Sequence, residues 1–134
     1  MPLVRIELLE GRSPDELATL ADDVQAALTE TLDVPVRDRF QIIQEYDEAH
    51  LRFDRSYLDI DRTEDWILIT VTLSRGRPTE KKQAFYARLS ELLNRDLGLR
   101  PEDLTVVLVE NERDDWSFGG GEASYVVLPR ERWR

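Results

Sequence analysis

An internal repeat constrains the fold of this chain more than any other feature. Two halves align without gaps at a constant spacing of 65 residues. The aligned pairs are Gly11/Gly76, Arg12/Arg77, Leu20/Phe85, Val24/Leu89, Leu28/Leu93 and Asp38/Asp103. Since glycines, arginines, an acidic position and an apolar stripe at helical spacing coincide together, the alignment predicts two copies of one structural unit.

Each copy has the pattern strand, helix, strand. The predicted strands are residues 3–9, 40–44, 66–73 and 104–109. Ser13 as N-cap, Pro14 at the first helical position and Glu16 completing a capping box predict where the first helix begins. The second helix follows the turn at residues 76–80 and ends at Gly98, a residue type typical of C-caps.

Two βαβ units predict an α/β fold, which some schemes class as α+β. Right-handed crossovers would place both helices on one face of a four-stranded mixed sheet. We expect a single domain over residues 1–134, with pseudo-symmetric units at about 2–45 and 66–110. The uncovered sheet face predicts an oligomer, because a bare apolar face on a small domain normally packs against another copy.

Two segments depart from the repeat. The connecting loop, residues 46–65, carries seven acidic residues and three arginines, and a loop of that length is either functional or extends over a neighbouring element. The tail, residues 111–134, has three consecutive glycines beside two aromatic residues, which predicts tight backbone packing or a mobile flap. Within it, residues 124–128 are a candidate edge strand, and 130–134 are expected to be a frayed, charged end.

Composition excludes several functional classes. The 18 basic and 28 acidic residues give a net charge of −10, which argues against binding nucleic acid. With no Cys and a single His, which we interpret as a surface residue, neither a metal site nor a cysteine nucleophile is expected. No apolar run is long enough for a membrane span and no signal peptide is found, so we expect a cytoplasmic protein. No nucleotide fingerprint or catalytic triad motif is found, and no cofactor is expected.

Three groups of residues are candidates for chemistry. If Met1 is removed, Pro2 becomes an N-terminal secondary amine, which can act as a base when neutral and as an acid or imine-former when charged. Arg75 and Arg77 flank the start of the second helix, where two guanidinium groups could bind a carboxylate. Asp38 precedes the second strand and could orient substrate or set the protonation of the amine.

Each candidate also has an ordinary structural interpretation. Met-Pro is a common start for a chain, and the two arginines could form surface ion pairs in a solvated turn. Asp38 could be a turn residue paired with Arg37 or Arg39, and its repeat counterpart Asp103 supports that interpretation.

The order of these motifs resembles the tautomerase superfamily, and more closely its malonate semialdehyde decarboxylase group. The matching stretches are residues 1–3, 10–12, 38–42, 74–80, 84–86, 108–111, 115–119 and 121–123. Together they span most of the chain except the connecting loop, and the match beyond Val127 is poor.

The resemblance implies roles for seven residues. Pro2 would be the catalytic amine, acting as a cationic acid with help from Asp38, while Arg75 and Arg77 would bind the substrate carboxylate. Three aromatic residues would form an apolar wall: Trp116, Phe118 and Tyr125. Tyr125 replaces a phenylalanine of the family and adds a hydroxyl group. The resemblance also implies a homotrimer acting on a small carboxylate.

The expected reaction is decarboxylation of a 3-oxo acid such as malonate semialdehyde. The first alternative uses the same site for tautomerisation of a 2-oxo acid or for hydration of an unsaturated acid. A second alternative is a trimeric binding protein without enzymatic activity.

Overall fold

The computed structural model describes residues 2–133, and Met1, on whose removal the chemistry of Pro2 depends, lies outside them. The strands are β1 (Pro2–Leu9), β2 (Gln41–Tyr46), β3 (Ile67–Ser74) and β4 (Leu104–Asn111). The helices are α1 (Pro14–Leu32), α2 (Thr79–Leu97) and the short α3 (Ser124–Val127). Short 3₁₀ turns cover Tyr57–Asp59, Pro101–Asp103, Arg113–Asp115 and Arg130–Trp133.

The strands form one mixed sheet in the order β2-β1-β3-β4. Pairing is parallel within each βαβ unit and antiparallel between β1 and β3, where the two units meet. This is the expected fold, with each strand starting or ending one or two residues from its predicted limits.

The repeat extends to backbone conformation. Gly11 and Gly76 have φ of +131° and +134°, values that residues other than glycine rarely adopt. The helix C-caps are also equivalent, because Asp33 and Gly98 both adopt the left-handed conformation. The predicted capping box of Ser13 with Glu16 is present.

One core lies between the sheet and the two long helices. The residues of the predicted helical stripes are fully buried, namely Leu20, Val24 and Leu28 on α1 and Phe85, Leu89 and Leu93 on α2. They pack against the alternating inward side chains of β1 and β3. The opposite sheet face bears exposed apolar side chains, including Ile42, Val107 and Val109.

The predicted edge strand at residues 124–128 is wrong, because this segment forms helix α3. Gly119, Gly120 and Gly121 all have positive φ and turn the chain back on itself. Ser124 then bonds with the backbone of residues 116 and 118 instead of with the sheet. The amides of residues 126 and 127 bond locally to the carbonyl of Ala123.

An acidic pair, of which only Asp23 is buried, links the two long helices. Asp23 on α1 is 7% exposed and hydrogen-bonds to Asp96 on α2. Burial, reinforced by the Asp96 carboxyl, raises the pKa of Asp23 to about 7. The bond to Arg95, followed by that to Asp23, lowers the pKa of Asp96. The folded state therefore favours a protonated Asp23 beside an ionised Asp96.

The pair predicts how stability responds to pH. The folded state raises the pKa of Asp23. The contribution of the protonated Asp23 to the free energy of unfolding is therefore complete below pH 3.8, the ordinary pKa, and is lost as the pH rises through about 7. Between pH 5 and 7 we expect the free energy of unfolding of the unmodified chain to fall by up to ~1.4 kcal/mol per pH unit because of Asp23. Asp23→Asn should remove this pH dependence, as measured by chemical denaturation at several pH values. The neighbouring exposed Asp22→Asn is the control, and equal slopes in Asp23→Asn and the unmodified chain would contradict the prediction.

Candidate active site

Pro2 lies where four chain segments meet at one edge of the sheet. It is buried and pairs with Leu73 at the end of β3, and Leu73 in turn pairs with Glu110 on β4. The amide of Val4 donates a 2.9 Å hydrogen bond to the carbonyl of Phe40, which brings the segment before β2 to the same edge. Strand pairing therefore brings Pro2 close to the loops that carry the other candidate residues.

The side chain of Arg77 is held at this edge by hydrogen bonds to the last residues of α1 and β3. Its Nε donates to the carbonyl of Leu32 at 3.1 Å, and its Nη1 donates to the carbonyl of Ser74 at 3.0 Å. Burial lowers the pKa of the Arg77 guanidinium, whereas the acidic groups around it, Asp38 among them, oppose that shift. The group keeps its charge, since arginine stays protonated in proteins, and these two bonds use two of its five N–H donors.

Arg75 lies at the same turn, but its side chain is bound elsewhere. Its Nε donates to the carboxylate of Glu112 at 2.9 Å, and the side chain is 61% exposed. Glu112, with a smaller contribution from Glu110, raises the pKa of Arg75. The structure thus brings Arg77 near Asp38 and places Arg75 in a surface ion pair. The bond to Glu112 uses one of the five N–H donors of Arg75.

Asp38 and its repeat counterpart Asp103 have different environments. The carboxylate of Asp103 is fully buried and accepts hydrogen bonds from the backbone amide and hydroxyl of Thr63, at 2.6 and 2.7 Å. Asp38 is half-buried at the sheet edge, where burial raises its pKa and the charge of Arg77 opposes the rise. Arg39, a possible partner in the turn interpretation, bonds instead to Asp22 at 2.6 Å.

The three predicted aromatic residues are in mutual contact. Trp116 stacks on Phe118 with ring centroids 5.4 Å apart, and Tyr125 meets Phe118 edge-on at 5.3 Å. The indole N–H of Trp116 donates to Asn111 Oδ1 at 2.8 Å and to Ser74 Oγ at 3.1 Å, which anchors the wall to the ends of β4 and β3. Burial and the charge of Asp38 raise the pKa of Tyr125 to about 12, so its phenol remains a hydrogen-bond donor at neutral pH.

A cavity of about 240 Å³ lies between Asp38 and the aromatic wall. Its lining residues are Asp38, Phe40, Phe118, Ser124, Tyr125, Leu128, Arg132 and Trp133. The cavity is smaller than the ~300–1,000 Å³ typical of pockets for drug-sized ligands, so it fits a ligand of few atoms.

Two cavity residues, Arg132 and Trp133, lie in the part of the chain expected to fray. The prediction of a frayed end is wrong for residues 130–133, which form a 3₁₀ turn that packs on Tyr125 through Trp133. Arg134 lies outside the described residues. The sequence signal was the tryptophan itself, since a large aromatic residue among charged ones indicates a contact.

The opposite end of the sheet lacks this arrangement. A wider cavity of about 840 Å³ there is lined by Arg12, the counterpart of Arg77, together with six acidic residues and several apolar ones. The guanidinium of Arg12 donates to the carbonyl of Asp65 at 2.8 Å. Among residues 2–133, no cluster of three or more acidic or histidine side chains is arranged to hold a metal ion. Within the same residues, no helix is both long and apolar enough to cross a membrane.

Comparison with known proteins decides the family. Two family models, each described as a tautomerase enzyme, match residues 2–55 and 38–119. The chain belongs to the tautomerase family. A probable tautomerase of Bacillus subtilis (strain 168), YrdN, is 43% identical over 95% of this chain and 98% of its own length.

Two solved structures of malonate semialdehyde decarboxylases are also similar to this tautomerase superfamily enzyme. One is 34% identical with a TM-score of 0.87, covering 92% of this chain and 95% of its own. The other, inhibited by 3-bromopropiolate, is 36% identical with a TM-score of 0.86, covering 95% and 99%. A fused 4-OT described as a symmetric trimer, at 23% identity and a TM-score of 0.76, covers 93% and 98% and shares the fold.

Proposed function

We propose that this enzyme decarboxylates a small 3-oxo acid such as malonate semialdehyde. The observation that carries the proposal is the convergence of Asp38, Arg77 and the aromatic wall on the edge of the sheet that holds Pro2. Similarity over more than nine-tenths of the chain to two malonate semialdehyde decarboxylases supports it. The volume of the cavity suits a substrate of few atoms.

In the proposed reaction, the bond between the carboxylate carbon and C2 breaks and carbon dioxide leaves. The electron pair moves towards the carbonyl group, giving an enolate that takes up a proton to form acetaldehyde. Removal of Met1 leaves the nitrogen of Pro2 as an amine, and the charged amine stabilises the developing enolate by donating a hydrogen bond to the carbonyl oxygen. In one solved relative, a variant with alanine in place of the first-residue proline was studied.

Arg77 is proposed as the main carboxylate-binding group and Arg75 as an auxiliary one. Binding a carboxylate stabilises the ground state, in which the full charge is present, so Arg77 contributes to catalysis by orienting the bond that breaks. Asp38 is proposed to favour the charged form of the Pro2 amine by its negative charge. Trp116, Phe118 and Tyr125 are proposed to form the wall against which neutral carbon dioxide departs.

A homotrimer in the cytoplasm is part of the proposal. The sheet face opposite the helices carries exposed Ile42, Val107 and Val109, which need a partner surface. The fused 4-OT neighbour is described as a trimer, and the curated relatives are bacterial.

The decisive experiment follows malonate semialdehyde by proton NMR with protein whose N-terminal proline has been verified by mass spectrometry. We expect acetaldehyde to form and Pro2→Ala to lose at least ~100-fold in kcat, because general acid catalysis alone contributes about 10²–10⁴-fold. No acetaldehyde from protein with a verified N-terminal proline would contradict decarboxylation of this substrate.

The internal repeat provides a matched control for the carboxylate-binding residue. We expect Arg77→Ala to lower kcat/KM by at least ~10-fold, since a hydrogen bond to a charged group is worth about 1.5–3 kcal/mol. Arg12→Ala removes the equivalent arginine at the opposite end of the sheet, 65 residues earlier, and should leave kcat/KM within about twofold of the unmodified enzyme. Equal losses in both variants would show that Arg77 acts on stability and not on substrate.

Tautomerisation or hydration with the same residues is the second candidate. It is favoured by the description of the Bacillus subtilis relative as a probable tautomerase, and one decarboxylase study also describes a hydratase activity. Tautomerisation needs a neutral Pro2 amine as base, whereas the proposed decarboxylation needs the charged amine.

The pH profile separates acid from base catalysis. For decarboxylation, we expect kcat/KM to fall as the pH rises through the pKa of the Pro2 amine, whose ordinary value is ~7.7–8.0. Steady-state rates between pH 5.5 and 9.5 check this. An activity that rises with deprotonation of the amine would indicate general base catalysis and contradict the decarboxylase mechanism.

A further inference from the structure

We propose that the C-terminal segment, residues 128–133, is the outer wall of the substrate cavity and that Trp133 limits the length of the substrate. This inference rests on the proposed function and deepens it, because it names a residue that determines specificity. Three of the eight cavity-lining residues belong to the segment: Leu128, Arg132 and Trp133. Both family models end before it, the second at residue 119.

The C-terminal segment is held by local backbone bonds. The amide of Leu128 donates to the carbonyl of Ser124 at 2.9 Å, and the amide of Arg132 donates to the carbonyl of Pro129 at 3.0 Å. Ser124 is itself buried and accepts a hydrogen bond from the amide of Phe118, so the segment begins on the aromatic wall. It then returns along the cavity, with Arg132 and Trp133 among the lining residues.

Aromatic and cationic contacts position Trp133. Its ring meets that of Tyr125 edge-on with centroids 5.1 Å apart. The guanidinium of Arg113, from the turn that follows β4, lies 4.6 Å from the centroid of Trp133 and 5.6 Å from that of Tyr125. Edge-to-face aromatic and cation–π contacts of this kind hold a side chain in one orientation. Arg113 is therefore a positioning residue for the rings of Trp133 and Tyr125.

The chemistry of this wall predicts which substrates fit. Asp38 and Phe40 line the same cavity of about 240 Å³ as Trp133, so a longer carbon chain extending from the reacting carbonyl competes with the indole for space. The indole nitrogen is buried and has no hydrogen-bond partner among the described residues, so the contacts of its ring with Tyr125 and Arg113 position Trp133. Arg132 adds positive charge beside it and favours an anionic substrate.

The test compares substrates of two lengths. We measure kcat/KM for malonate semialdehyde and for the five-carbon 3-oxopentanoate in the unmodified enzyme and in Trp133→Ala. We expect the ratio to shift at least ~10-fold towards the longer acid in Trp133→Ala, because each methylene in an apolar pocket changes selectivity by about 10–200-fold. Trp133→Phe, which keeps an aromatic ring, should restore most of the original ratio. Val126→Ala, an exposed apolar change on α3, is the matched control.

A second measurement keeps this test independent of the reaction. The probes are 3-bromopropiolate, which inhibits one solved relative, and the longer 2-oxo-3-pentynoate, which inactivates another protein of this fold. Intact-mass spectrometry gives the rate at which each compound labels the enzyme. We expect Trp133→Ala to raise the relative rate with the longer reagent. If malonate semialdehyde is not decarboxylated but the labelling ratio shifts, the proposed reaction is wrong and the wall is supported. An unchanged labelling ratio, or no labelling by either reagent, would overturn the wall proposal.

Discussion

The antiparallel pairing of β1 with β3 is the interaction on which the rest of the structure depends. It joins the two βαβ units into one sheet and aligns their buried side chains, so that both helices pack on a shared core. The same register pairs Pro2 with Leu73, only two residues before Arg75. A shift of one residue would turn the inward side chains of β1 to the opposite face, at the cost of the core. Core packing and the position of the candidate amine are thus set by the same pairing.

The repeat also explains why the two ends of the sheet differ. Asp38 and Asp103 occupy equivalent positions in the repeat. Asp103 is fully buried and accepts a hydrogen bond from the amide of Thr63, whereas Asp38 lines a cavity. The connecting loop ends with residues 63–65 at one end of the sheet, where the carbonyl of Asp65 accepts a hydrogen bond from Arg12. The other end is closed by the aromatic wall and the C-terminal segment. The repeat places equivalent backbone positions at the two ends of the sheet. The segments outside the repeat determine which side chains surround those positions at each end.

The fold was predictable because it follows from local patterns that occur twice. The capping box at Ser13, the C-cap glycine Gly98 and the helical stripes each act over a few residues, and the repeat relates them at long range. The candidate site was predictable only in part. The ion pair of Arg75 with Glu112 and the packing of Trp133 depend on tertiary contacts that no periodic pattern encodes. Helix α3 was missed because its valines favour strands, while hydrogen bonds made by Ser124 and Ala123 decide its conformation.

Electrostatics favours one end of this acidic protein for an anionic ligand. A net charge of −10 repels anions at long range, but salt screens exposed charges beyond ~8–10 Å, so nearby groups dominate at short range. Near the cavity, Arg77 is half-buried and Arg132 lies in the lining, whereas at the opposite end Arg12 lines a cavity together with six acidic residues. Burial strengthens the field of Arg77 because less water screens it. In the proposed reaction that field also disfavours the charged Pro2 amine, and the carboxylate of Asp38 offsets it. An amine that must stay protonated beside an arginine therefore needs an acidic partner at this position.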